Sequence, residues 1–202
     1  MCGRFVLASD LSQIAEEFKL AELKKSFPLP RGDVRPGQKS AGIIAEGNKK
    51  YLLDMLWGFS PAWPKQTPSR PLINARGETL PEKLSFQEPF RRGRCLIPAD
   101  GFYEWSKDKK QFYFSLRSHS PFGLAGLYKQ DSENSKELSF VIITTAPNKL
   151  IEPIHNRMPA IIPVEKQSLW LDSSAFEKTE LMPLLNPYPE NEMEMRPGPY
   201  RL

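Results

Sequence analysis

The chain has 202 residues, 40% hydrophobic and 26% charged, with a formal net charge of +4. That is enough chain for one ordinary globular domain with a buried core, and the mild basicity permits an acidic partner such as nucleic acid without requiring one. No apolar run is long enough to span a membrane, the start lacks a secretory signal, residue 2 is not the Gly that N-myristoylation needs, and two cysteines make no disulfide framework, so the reading is a cytoplasmic protein.

In chain order, Asp10 with Gln13 three residues on has the form of a variant capping box, and Leu11, Ile14, Ala15 and Phe18 follow at helical spacing. The pattern predicts a first helix over roughly residues 10 to 20. Short apolar runs then alternate with turn residues: "AGIIAE", "KYLLDMLW", "RCLIPA", "QFYFSLRS", "GLAGLYK" and "LSFVIITT". They are rich in β-branched and aromatic residues and read as strands. Residues 164–172 ("VEKQSLWLD") read as a short late helix, and the Pro-rich polar end "NPYPENEMEMRPGPYRL" as an extended, partly mobile tail. The sum is one α+β domain with a mostly antiparallel, barrel-like sheet core and a few peripheral helices, spanning residues 1–185, followed by a tail over 186–202.

Four segments carry polar groups where packing alone does not ask for them. "MCGRF" puts a thiol at position 2, followed by Gly3 and Arg4. A lone Cys is usually a small buried hydrophobe, which suits Cys95 inside its strand-like run, but a terminal residue is rarely core. "INARGET" sets Asn74 and Arg76 on one face of an extended segment, an amide and a guanidinium fork suited to phosphate, or simply a solvated loop. "PADGFYEW" places Glu104 between Tyr103 and Trp105, where desolvation would raise its pKa, unless it faces outward on an edge strand. "IHNRMP" holds His155, one of two histidines, two residues before Arg157; a structural His is the simpler alternative. His119, in "LRSHSPFG", reads as solvated. Two Cys and two His without ligand spacing make no metal site.

Together with "WGFSPAW" and "GLAGLY", these segments follow one another in an order and at a spacing that resembles the SRAP family, the SOS-response-associated peptidases or abasic-site processing proteins. The resemblance runs from residue 2 to about residue 171. It implies a compact α+β domain around a barrel-like core, a monomer that binds single-stranded DNA, and a covalent cross-link to abasic sites through the residue after Met1. The implied active site is Cys2, Asn74, Glu104 and His155; the implied DNA contacts are Arg4, Pro36, Trp63, Arg76 and Arg157. No metal or organic cofactor is implied, and a nucleoid association when bound to DNA follows. Two departures stand out: Asp33 replaces the family's usual Asn in "GDVRP", and the chain closes on "RPGPYRL", which predicts an absent or diverged last strand.

The opening pair then has a chemical purpose. A free α-amine (reference pKa about 7.7–8) is substantially neutral at cellular pH and can attack an aldehyde. A thiol on the neighbouring carbon closes the Schiff base into a thiazolidine. In this scheme His155 assists sugar ring opening, Glu104 relays protons, Asn74 orients the adduct, the arginines hold phosphates, and Trp63 stacks or wedges. Two alternatives stay open: a cysteine peptidase or autopeptidase acting through Cys2, and a non-covalent single-stranded DNA-binding module.

Overall fold

The Asp10 carboxylate accepts from the Gln13 N–H at 2.9 Å, while the Gln13 side chain accepts from the Asp10 N–H at 2.8 Å, so the capping box closes as the sequence predicts. In the computed structural model, which describes residues 2–21, 31–59, 70–130, 137–174 and 176–200, this cap opens α1 (Leu11–Phe18). Ile14 and Phe18 are its buried face. The helix ends at Lys19, whose left-handed backbone turns the chain back toward the preceding carbonyls.

Strand β1 (Phe5–Leu7) precedes that helix, and β2 (Gly32–Val34), β3 (Lys39–Glu46), β4 (Lys49–Trp57) and β5 (Asn74–Arg76) follow it. Next come α2 (Leu84–Arg92), β6 (Arg94–Ala99), β7 (Gly101–Trp105), β8 (Gln111–Leu116), β9 (Phe122–Gln130) and β10 (Leu138–Thr145). The chain finishes with β11 (Met158–Pro159), β12 (Ile161–Ile162), α3 (Gln167–Leu171), α4 (Lys178–Leu181) and β13 (Met193–Pro197).

The barrel can be read off the pairings. β10 pairs with β4, β4 with β3, β3 with β6, β6 with β9, and β9 returns to β10. The ring has no free edge at these strands, which removes the aggregation hazard of an open sheet. Every one of these contacts is antiparallel except β4–β10. Where β4 leaves β10, β5 takes over alongside it, also parallel, with Asn74 opposite Ile142 and Arg76 opposite Thr144. Against the barrel lies a second sheet in the order β13-β8-β7-β1-β2.

Aromatic packing joins the two layers. Trp57, at the end of β4, sits 5.2 Å from the Phe5 ring of β1 and 5.9 Å from Phe140 of β10. Its indole N–H donates to the Ile73 carbonyl at 2.9 Å, immediately before Asn74. One fully buried side chain therefore supports both the start of the chain and the strand bearing Asn74; truncating it to Ala would cost about 3–5 kcal/mol.

Two features depart from expectation. The final strand is present: β13 pairs antiparallel with β8 over its whole length, Met193 opposite Leu116 to Pro197 opposite Phe112. Its alternation is disguised by charged and methionine residues, which suits a sheet edge. Helix α2 is absent from the sequence reading because Pro89 lies inside it and breaks the usual pattern. Buried Arg94 helps to hold the helix end, donating to the Phe90 and Arg91 carbonyls at 2.7 and 2.8 Å and to the Trp170 carbonyl of α3 at 2.7 Å.

Candidate active site

The start of the chain is drawn into the protein by β1. Phe5 lies opposite Phe102 on β7, and the pairing continues backward as the Tyr103 N–H donates to the Arg4 carbonyl at 3.0 Å. Running antiparallel to β7, the segment before Phe5 passes beside Glu104. Cys2 is fully buried, contrary to what a terminal position suggests. Its carbonyl accepts from Asn74 Nδ2 at 2.9 Å, which ties the chain start to β5. The other amide atom, Asn74 Oδ1, is buried with no hydrogen-bond partner among the described residues.

Glu104 is 1% exposed, and β7 lies between β1 and β8, so the outward-facing edge alternative is excluded. The cause of its burial differs from the one expected. Strand alternation sends Tyr103 and Trp105 to the opposite face, and Glu104 shares the inner face with Phe102. Desolvation pushes its carboxyl up to about 7, where both protonation states are populated near neutrality. Burial pushes the Cys2 thiol far above the ordinary thiol range, and the adjacent Glu104 charge raises it further. The thiol is thus held protonated, within electrostatic reach of the Glu104 carboxyl.

His155 Nδ1 stands 3.8 Å from Glu104 Oε2. A turn places it there: Asn148 Oδ1 accepts from the Ile151 N–H at 3.1 Å, and the His155 N–H donates to the Ile151 carbonyl at 2.9 Å. The same Asn148 side chain donates to the Tyr188 carbonyl at 2.8 Å, anchoring the turn to the C-terminal segment. Desolvation lowers the His155 pKa, opposed by the hydrogen bond that Nδ1 can donate to the Arg157 carbonyl, and so favours the neutral ring. In the tautomer that carries its proton on Nε2, Nδ1 accepts the Arg157 N–H, 3.1 Å away. When protonated, Nδ1 can donate instead to the Arg157 carbonyl, also 3.1 Å away.

The four reactive candidates, drawn from segments far apart in sequence, therefore converge. The expected DNA contacts do not share one environment. Arg76 is exposed, and Pro36 is exposed in the turn between β2 and β3. Arg4 pairs with Asp33 and lies 4.7 Å over the Tyr103 ring, whose hydroxyl also donates to Asp33 at 3.2 Å. The Asp33 departure thus supplies a partner for Arg4. Arg157 is engaged by Glu78. Trp63 lies outside the described residues. The sequence reading missed Glu78, Thr144 and Asn148 as site-building residues; Glu78 lay in plain view within "INARGET", while the other two leave no local signal. Among the described residues, no group of three or more His, Cys, Asp or Glu could hold a metal ion, and no helix is long and apolar enough to cross a membrane.

The family model described as SOS response associated peptidase matches residues 1–199. The chain is 40% identical over 202 residues to the abasic site processing protein YoqW of Bacillus subtilis, covering 96% of this chain and 90% of that one. It is 31% identical over 179 residues to the abasic site processing protein YedK of Escherichia coli, covering 85% and 79%. A solved structure of a protein from Bacteroides thetaiotaomicron superposes with a TM-score of 0.80 at 26% identity, covering 97% of this chain and 91% of that chain. The α+β architecture is shared.

Proposed function

The chain belongs to the SOS response associated peptidase family, and from that membership we propose that it processes abasic sites in single-stranded DNA by forming a covalent thiazolidine through Cys2 once Met1 has been removed. The observation that carries this reading is the position of Cys2: held through its carbonyl by Asn74, with its thiol buried within electrostatic reach of Glu104, which in turn faces His155. The relatives named abasic site processing proteins supply the substrate class.

The chemistry uses these groups in sequence. As the C1′–O4′ bond breaks, His155 gives a proton to the ring oxygen and recovers one from the C1′ hydroxyl, which becomes the aldehyde carbonyl. The freed α-amine of Cys2 adds to C1′, giving a carbinolamine. Glu104, near half protonation, delivers a proton to the departing hydroxyl, and water leaves as the iminium forms. The Cys2 sulfur then bonds to C1′ while its proton passes to Glu104, and the iminium electron pair returns to nitrogen. The product is a thiazolidine, and the net loss is one water. Asn74 holds the Cys2 backbone through these steps. Exposed Arg76 supplies a phosphate contact that is blind to sequence, and an abasic nucleotide, lacking a base to stack, enters the site at little cost.

A peptidase using a Cys2–His155 pair is disfavoured on electrostatic grounds. Such an enzyme needs a stabilised thiolate, whereas burial and the neighbouring carboxylate both oppose ionisation of Cys2. The deciding experiment mixes the purified protein, its start checked by intact mass, with single-stranded DNA bearing one abasic site and resolves the products by denaturing electrophoresis. A slower-migrating species stable without reductant is expected. A variant carrying an uncleavable extra residue before Cys2 should bind the DNA and form none; an undiminished adduct in that variant would refute the aminothiol route.

A further inference from the structure

Arg157 is expected on a DNA phosphate, yet its guanidinium already has protein partners. Nη1 and Nη2 donate to the two Glu78 carboxylate oxygens at 2.6 and 2.9 Å, and Nη2 also reaches the Thr144 carbonyl. The Arg157 side chain is 16% exposed, against 52% for Glu78, so the fork faces inward. Its own backbone N–H and carbonyl both stand 3.1 Å from His155 Nδ1. Glu78 stands in the short turn Gly77–Thr79, directly after the strand that presents Asn74, and Thr144 lies beside that strand on β10. A bidentate arginine fork closed on both a carboxylate and a backbone carbonyl fixes direction far better than a lysine or a single contact could.

We propose that Glu78 is a positioning residue for the abasic-site reaction: with Arg157 and Thr144 it forms a clamp that holds the Arg157 backbone against His155, setting the tautomer and aim of the imidazole. The clamp also couples the segment bearing Asn74 to the segment bearing His155, two parts of the site that no strand pairing among the described residues joins directly. This rests on the function proposed above, and the tests keep the two separable.

Glu78→Ala should slow adduct formation about 10-fold to 100-fold at saturating DNA, the usual consequence of a misaimed catalytic group. Affinity for single-stranded DNA carrying a non-reactive abasic analogue should hold or rise, since a negative charge is lost. Glu78→Gln, which still accepts one bond, should fall between wild type and Glu78→Ala. Arg157→Lys keeps the charge but cannot make the fork; it should match Glu78→Ala in rate while leaving affinity within about 2-fold. On DNA bearing an ordinary open-chain aldehyde, which bypasses ring opening, all three variants should recover. A rate defect that disappears at saturating DNA would overturn the clamp and return Arg157 to the phosphate track.

A readout independent of any adduct is the nitrogen-15 spectrum of the imidazole. With two histidines in the chain, assignment is direct. Wild-type His155 should show the Nε2–H form and Glu78→Ala a mixture, with the His119 signal unchanged as a check on folding. An unchanged His155 tautomer in Glu78→Ala would refute the clamp. Absence of any adduct in the wild type would refute the functional reading and leave the clamp to be decided by that spectrum.

Discussion

Cys2 and Cys95 are both fully buried, and burial pushes both thiols far above the ordinary range. Their surroundings separate them. Cys95 is the second residue of β6, opposite Gly126 on β9, where a Cβ on the glycine would come within 2.8 Å of its sulfur; its carbonyl accepts the Trp170 indole N–H at 2.9 Å. Desolvation is the whole cause of its shift. Cys2 adds a carboxylate, an amide and, one step further, an imidazole. Depth and thiol pKa therefore fail to distinguish a packing cysteine from a reactive one. The polar groups gathered around Cys2 do set it apart from Cys95, and the proposed function turns on them.

The sharpest way to break this contrast is to remove each sulfur in turn. Cys2→Ala should abolish the reductant-independent adduct while leaving a Schiff base that borohydride traps, as read on a denaturing gel. Cys95→Ala should cross-link like wild type. Equal losses in the two variants would make both cysteines structural.

Next in size are the proton-handling groups that only Cys2 has. Glu104→Gln and His155→Ala should each slow cross-linking by roughly 10²–10⁴-fold with little change in DNA affinity. On an open-chain aldehyde His155→Ala should recover much more than Glu104→Gln, because only ring opening has been bypassed.

The raised Glu104 pKa also predicts a stability signature. The folded protein holds this proton up to about pH 7, whereas an unfolded Glu releases it near 4.3, so between those values the folded state binds more protons and stability falls as pH rises. Glu104→Gln removes that loss. Relative to wild type, it should gain about 2–3 kcal/mol more at pH 8.5 than at pH 4.5, measured by denaturant titration at both. No pH dependence of the difference would mean the carboxylate is not desolvated in solution. Cys95→Ala, by contrast, should cost about 1–2 kcal/mol at either pH, as a small cavity does.

The smallest effect belongs to the periphery. Arg76→Ala should weaken single-stranded DNA binding without sequence preference and reduce the salt slope by roughly 0.7, determined from affinities at several salt concentrations. An unchanged slope would remove Arg76 from the phosphate track.

Local signals were enough for the first helix, the six principal strands and the α+β class, because the Asp10–Gln13 cap and the β-branched runs act over a few residues. The candidate site was legible only in the order of the motifs taken together, since singly the segments around Asn74, Glu104 and His155 read equally well as structural or solvated residues. Pairing between distant segments decided everything else. Closure of the barrel depends on β9 meeting β10 while β10 also meets β4 and β5. The burial of Glu104 follows from the central place of β7, since its two aromatic neighbours in sequence point the other way. Likewise Arg4 and Arg157 read alike as DNA contacts, and only the fold brings Asp33 and Glu78 against them. A strand's alternation determines which residues share a face; what that face meets depends on contacts tens of residues away, where no local preference reaches.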